Sequence, residues 1–176
     1  MKIYLSLLGM DDALPLIGDA TLRARRLDRG EYGTVYSLED KGLVAKVYFG
    51  SDDVGLVWAK HEFAIASRLS AAGISVPKPE GVFRFRSPCS ATEHPAFVME
   101  EIVGGILLDQ YRSEQSARSK SAESDFARDL HLQELRKAAD LGFHYGPLGE
   151  SNCFYLPLEQ KVVLFDFVRW GCPSVR

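Results

Sequence analysis

The sequence predicts an α+β fold: five antiparallel strands with one helix, followed by a short, mainly helical part that carries a β-hairpin. Three observations predict it. Between Thr21 and Phe49, runs rich in Val, Tyr and Thr are separated by short glycine-bearing turns, which only antiparallel neighbours can share. A stretch with helical apolar spacing follows, and after Gly104-Gly105 the pattern turns from strand-like to helix-like before a last pair of apolar runs. Finally, 176 residues that are 46% apolar and 26% charged suit one globular domain or two small lobes, not a disordered chain.

Taken in order, the first residues (MKIYLSLLGMDD) hold a brief apolar run. Asp11 and Asp12 stand where a signal peptide needs small residues, so a first strand or short helix is expected. Thr21–Leu27, Tyr32–Leu38 and Leu43–Phe49 form a meander, with a turn at Glu39-Asp40-Lys41-Gly42. A helix capped by Ser51, Asp52 or Asp53 ends at Gly73, its core face marked by Val54, Trp58, Ile65 and Leu69. Pro77 and Pro79 force an extended link to two further strands, Gly81–Phe85 and Ala96–Glu101, which a polar loop with Pro88 and Pro95 separates.

A hinge is expected near Ile102–Gly105, dividing residues 1–103 from 104–176. Ile106–Tyr111 opens a helix, the serine-rich residues 112–124 are expected to be mobile, and Phe126–Leu141 reads as another helix. The end is a loop (Gly142–Ser151), a strand (Asn152–Leu156), a turn and a second strand (Lys161–Asp166).

Composition removes several function classes. Lys and Arg number 21 against 24 Asp and Glu, a net charge of −3, which leaves no positive excess for non-specific nucleic-acid binding. Arg23, Arg25, Arg26 and Arg29, with Arg112, Arg118 and Lys120, read as solvated faces. No apolar run approaches the roughly 20 residues of a transmembrane helix, so no membrane association is expected. Cys89, Cys153 and Cys172 are odd in number and far apart, which suits reduced thiols in a cytoplasmic protein.

Four features carry chemistry. Gly30-Glu31-Tyr32-Gly33 joins two strands, and such a turn lets backbone N–H groups approach phosphate without a Cβ in the way. Lys46 stands in the apolar run Val44-Ala45-Lys46-Val47, facing either solvent or a site that needs a fixed positive charge. Glu62 lies on the apolar stripe of the next helix, four residues after Trp58 and three before Ile65. A carboxylate there needs a cation, and Lys46 is the nearest candidate. Asn152 and Asp166 are equidistant from residue 159, so a hairpin centred there brings them side by side. An amide and a carboxylate together suit Mg²⁺, which takes oxygen ligands and keeps several waters.

In this order, the four features resemble the protein-kinase-like phosphotransferase superfamily. The small atypical members come closest, those of RIO, aminoglycoside-kinase or lipopolysaccharide-kinase type. The resemblance runs from about Leu27 to Asp166 and implies ATP and Mg²⁺ as cofactors. It makes residues 1–103 an N-lobe and 104–176 a truncated C-lobe. Gly30, Gly33 and Val35 match the loop that covers the nucleotide, and Lys46 with its partner Glu62 match the catalytic lysine strand and helix. Phe97–Ile102 looks like the hinge segment, with Glu100 and Ile102 taking the adenine edge. Asn152 and Asp166 match the metal-binding pair, and Asp166 is counted with Lys46 and Glu62 as catalytic.

The match breaks at the base. The family's catalytic aspartate stands five positions before the metal-binding asparagine, and here that position is Pro147. A proline side chain has no acceptor, which leaves His144 and Glu150 as substitutes. Only ten residues follow Asp166, so the helices that hold a protein substrate in that family are not expected in this stretch. Tyr32 falls in the region where the usual loop has another glycine. The resemblance therefore implies a nucleotide-binding protein. It is either an ATP-dependent phosphotransferase of reduced activity, acting on an alcohol group, or an inactive pseudokinase that binds or regulates a protein partner.

Overall fold

The computed structural model describes residues 16–17, 24–39, 41–86, 92–144 and 150–171. The chain is α+β and divides into two compact units: Met1–Ala64 with Pro79–Glu101, and Ile65–Lys78 with Ile102–Arg176.

In the first unit, β2 (Ala24–Arg29), β3 (Gly33–Leu38), β4 (Leu43–Tyr48), β5 (Pro79–Arg86) and β6 (Glu93–Glu100) form an antiparallel sheet in the order β5-β6-β4-β3-β2. A two-residue strand that the sequence reading lacks, β1 (Leu16–Ile17), adds to the β5 edge in parallel. It is too short for any periodicity to mark it.

Alternation sorts the sheet into two faces. Leu38, Ala45, Val47, Phe85, Ala96 and Val98 form the buried cluster of one face, with Tyr36, Leu43 and Phe83 packed against it. The rings of Tyr36 on β3 and Phe85 on β5 meet, tilted, at 5.0 Å although β4 and β6 lie between their strands. Flat strands would separate them by about 14 Å, so the sheet curls around this apolar face.

The other face takes the first part of α1 (Asp52–Ala71), the part up to Ala64 that belongs to this unit, and the sequence places the helix well. Its inner stripe differs from the expected one. Val54 is exposed, and Gly55, Ala59 and Glu62 are buried with Ile65, Ala66 and Leu69. Gly55 and Ala59 are small, which brings the helix close to the sheet. A Cβ on Gly55 would already touch Tyr48 and Pro95 at 3.6–3.8 Å. Gly73 closes the helix at φ +75°, where glycine avoids the Cβ penalty.

In the second unit, β7 (Ile106–Leu107), β8 (Cys153–Leu156) and β9 (Lys161–Leu164) make a three-stranded sheet in the order β7-β8-β9. Beside it stand α2 (Leu108–Ala117) and α3 (Ser121–Asp140). Two expectations are corrected here. Ile106 and Leu107 are strand rather than helix, and residues 112–124 are largely helical rather than a serine-rich linker. Their helices bury polar residues, Gln115 on α2 and Ser124 with His131 on α3, beside Leu108, Tyr111, Ala127 and Leu135. Polar residues on the inner stripe hide a helical period that apolar counting would find. The break between the helices is short and contains Ser119 at φ +59°.

Backbone bonds anchor the rest of this unit. The Leu164 N–H donates to Ser75 at 2.9 Å, and the Ser75 N–H donates to Glu134 Oε2 at 2.9 Å. No helix among the described residues is long and apolar enough to cross a membrane. Of the expected elements and thiols, the first residues up to Asp12, the loop around Pro88, Cys89 and Cys172 lie outside the described residues. Cys153 is a buried free thiol.

Candidate functional site

β4 is buried along almost its whole length, since one face meets the apolar cluster and the other meets α1. Lys46 shares its face with Tyr48 and with its cross-strand partners Val35 and Phe97. Under a helix, an ammonium group cannot keep its water and must be matched. Glu62 provides the match: Lys46 Nζ donates to Glu62 Oε1 at 2.5 Å. The two residues are 8% and 1% exposed, so this is a desolvated ion pair and not a surface one. The Lys46 ammonium also lies 5.5 Å from the centroid of the Tyr48 ring, a cation–π contact. Lysine, glutamate and Val35 are thus brought together on one face.

The glycine turn closes on itself, with the Gly30 N–H donating to the Gly33 carbonyl at 2.9 Å. Gly33 opens β3 opposite Tyr48. A Cβ there would collide with the Val47 carbonyl oxygen, so only glycine lets the two strands approach this closely. Gly30 has no such constraint, because nothing but the Gly33 carbonyl comes within 4 Å of a Cβ there.

At the far end of the sheet, Glu100 pairs with Leu43, and the Glu101 N–H donates to Gly42 at 2.9 Å. Ser37 Oγ donates to Glu101 Oε2 at 2.8 Å. Glu101 is therefore committed to the sheet by both backbone and side chain, between the two residues expected to meet adenine. Glu100 lies three residues along β6 from Phe97, the cross-strand partner of Lys46, which is about 10 Å of strand. Ile102 belongs to the second unit, where it opens the longer of its two segments.

In that unit the hairpin register differs from the expected one. Cys153 pairs with Leu164 and Leu156 with Lys161, so the dyad falls between residues 158 and 159. The turn occupies four residues, 157–160, and an even loop cannot be centred on a residue. Asn152 is consequently opposite Phe165, whose N–H donates to the Asn152 carbonyl at 3.1 Å, and Asp166 is one residue further on. Asn152 ends a 3₁₀ turn, Glu150–Asn152, and Asp166 follows β9 with φ +63°. Both side chains are half-buried. The two residues fall at the open end of the hairpin, one position out of a cross-strand pair.

Aromatic packing holds this end in place. Phe154 and Phe165 stack at 4.5 Å, and Phe167, buried next to Asp166, meets Trp170 edge-on at 5.2 Å. Trp170 meets Phe143, over which Arg68 lies at 4.9 Å. His144 has an exposed side chain, and its backbone forms a two-bond bridge with Gly171. Glu150 opens the 3₁₀ turn, and Pro147 lies outside the described residues. Among the described residues no group of three or more His, Cys, Asp or Glu could hold a metal ion by itself. A cation here would need further oxygens beyond Asp166 and Asn152, such as those of a phosphate.

The aromatic contacts around Lys46 are not among the expected site features. Tyr32 of the glycine turn meets Trp58 edge-on at 4.8 Å, and Trp58 meets Tyr48 at 6.3 Å. A signal was available, because Trp58 precedes Glu62 by one helical turn and so shares its face. No protein-family model matches the chain, and no curated protein matches it.

Proposed function

We propose that the chain is a protein-kinase-like nucleotide-binding protein that takes ATP with Mg²⁺. The observation that carries this reading is the Lys46–Glu62 pair, sealed between β4 and α1. Such a pair contributes little net stability compared with apolar residues of the same volume, so a role in holding a ligand's phosphates accounts for it better than folding does. Glu62 orients the lysine. The glycine turn, two residues from Lys46 in cross-strand register, suits the same polyphosphate. Asn152 and Asp166 offer the oxygen donors Mg²⁺ prefers, and the left-handed backbone of Asp166 is the kind of local strain found at working sites. The bound ion would neutralise phosphate charge during transfer.

A second reading, an inactive module that binds nucleotide without transferring phosphate, is favoured by Pro147. General-base catalysis contributes about 10²–10⁴-fold, and His144 or Glu150 would have to replace it. The test has two steps. Mg·ATP should raise the melting temperature of the wild type in a concentration-dependent way and should fail to do so in Lys46→Met/Glu62→Leu and in Asp166→Asn. An unmoved melting temperature in the wild type would sink the proposal. ATP consumption that disappears in Asp166→Asn then assigns transfer, and binding without consumption assigns the inactive module.

A further inference from the structure

The glycine turn holds one bulky side chain, that of Tyr32. Its ring is half-buried and leaves the turn to meet Trp58 edge-on at 4.8 Å and 68°. Trp58 lies on α1, the helix that covers the Lys46 face of the sheet, and meets Tyr48 at 6.3 Å and 86°. Tyr48 in turn lies under the Lys46 ammonium. An unbroken series of ring contacts thus runs from the tip of the turn to the cation. The backbone of the turn is fastened separately: the Phe49 N–H donates to the Tyr32 carbonyl at 2.9 Å, and the Gly30 N–H closes onto Gly33. Rotation about the Tyr32 side-chain bonds would move the ring off Trp58 without breaking these backbone bonds.

A polyphosphate paired with Lys46 and lying against the turn would come up to the Tyr32 side chain, the bulky group of that turn. The ring is the part of the turn that glycine cannot remove. We infer that Tyr32 is a latch: its ring docks on Trp58 in the ligand-free protein, and nucleotide polyphosphate binds at Lys46 as the ring is released. This rests on the nucleotide-binding reading above and adds the regulation of that site. Breaking the edge-on contact is a fixed charge on every binding event, so removing the ring should tighten binding by roughly two- to tenfold.

Calorimetric titration with Mg·ATP tests this on the wild type, Tyr32→Ala and Tyr32→Phe, together with acrylamide quenching of tryptophan fluorescence. Of the two tryptophans, Trp170 is buried, so changes in quenching report the half-buried Trp58. The expected result is tighter binding by Tyr32→Ala than by the wild type or by Tyr32→Phe, which keeps the ring. Quenching should rise on Mg·ATP addition in the wild type and already be high in Tyr32→Ala. If Mg·ATP binds but Tyr32→Ala binds it equally or more weakly, or quenching does not move, the latch is wrong and nucleotide binding stands. If none of the three proteins binds Mg·ATP, both fail. Should Tyr32→Ala not fold, Tyr32→Leu makes the same comparison, since it keeps apolar bulk without a ring.

Discussion

The two sets of candidate residues are held by opposite means. Lys46 and Glu62 sit in the middle of regular elements, a strand and a helix, and their constraint comes from burial and from their ion pair. Asn152 and Asp166 sit where regular structure stops, one at the end of a 3₁₀ turn and one in a left-handed conformation just past a strand. Their constraint comes from backbone geometry, with an aromatic cluster beside it. The first set is costly to bury and conformationally ordinary, whereas the second is half-buried and includes one left-handed residue, Asp166. Each should therefore break in its own way.

The largest effect belongs to the buried pair. Lys46→Met leaves Glu62 without its cation and should destabilise the protein by about 3–5 kcal/mol in denaturant unfolding. Lys46→Met/Glu62→Leu removes both charges and should return stability to the wild-type level or above it. A double variant no better than the single one would make the pair a structural requirement and erase the contrast.

A smaller effect is expected at the hairpin. Asp166→Gly and Asp166→Ala both lack the carboxylate, so they differ only in what the backbone demands. At φ +63° the glycine variant should be the more stable by about 1 kcal/mol, measured the same way. Equal stabilities would mean that the chain relaxes there freely.

The smallest effect is one of pH. Burial of Tyr155 on β8, followed by the charges that Tyr111 and Glu123 add nearby, raises its phenol above the usual value of 10.0. The folded state thus resists ionisation more than the unfolded one, and the stability this gives is full below pH 10 and lost as pH rises beyond it. Thermal melts between pH 9 and about 11.5 should show a decline that is shallower in Tyr155→Phe. A decline of the same slope in both proteins would remove Tyr155 as its cause.

The contrast also explains what could be read from the sequence. Lys46 and Glu62 stood out because each is a charge on an apolar pattern, and mutual neutralisation is the ordinary solution. The strands β3 to β6 and the helix α1 followed from alternation and turn chemistry. The hairpin was found, but its register was displaced by half a residue, because the parity of a turn is not written in the strands beside it. Residues 112–124 misled for a different reason: Gln115 and Ser124 point inward, so polarity no longer tracks exposure. The Tyr32–Trp58 contact joins a turn to a helix far along the chain, and no local period encodes it.

The pairing of Lys46 with Phe97 has one more consequence. The strands at the centre of the sheet come from opposite ends of a long stretch that contains α1 and β5. The β2–β3–β4 meander and the helix can form quickly from near neighbours, in microseconds, whereas joining β4 to β6 must close that whole stretch against its entropy. Refolding of the first unit should accordingly be paced by this late seam, with the ionic pair 16 residues apart assembling on the meander and helix before the sheet is complete.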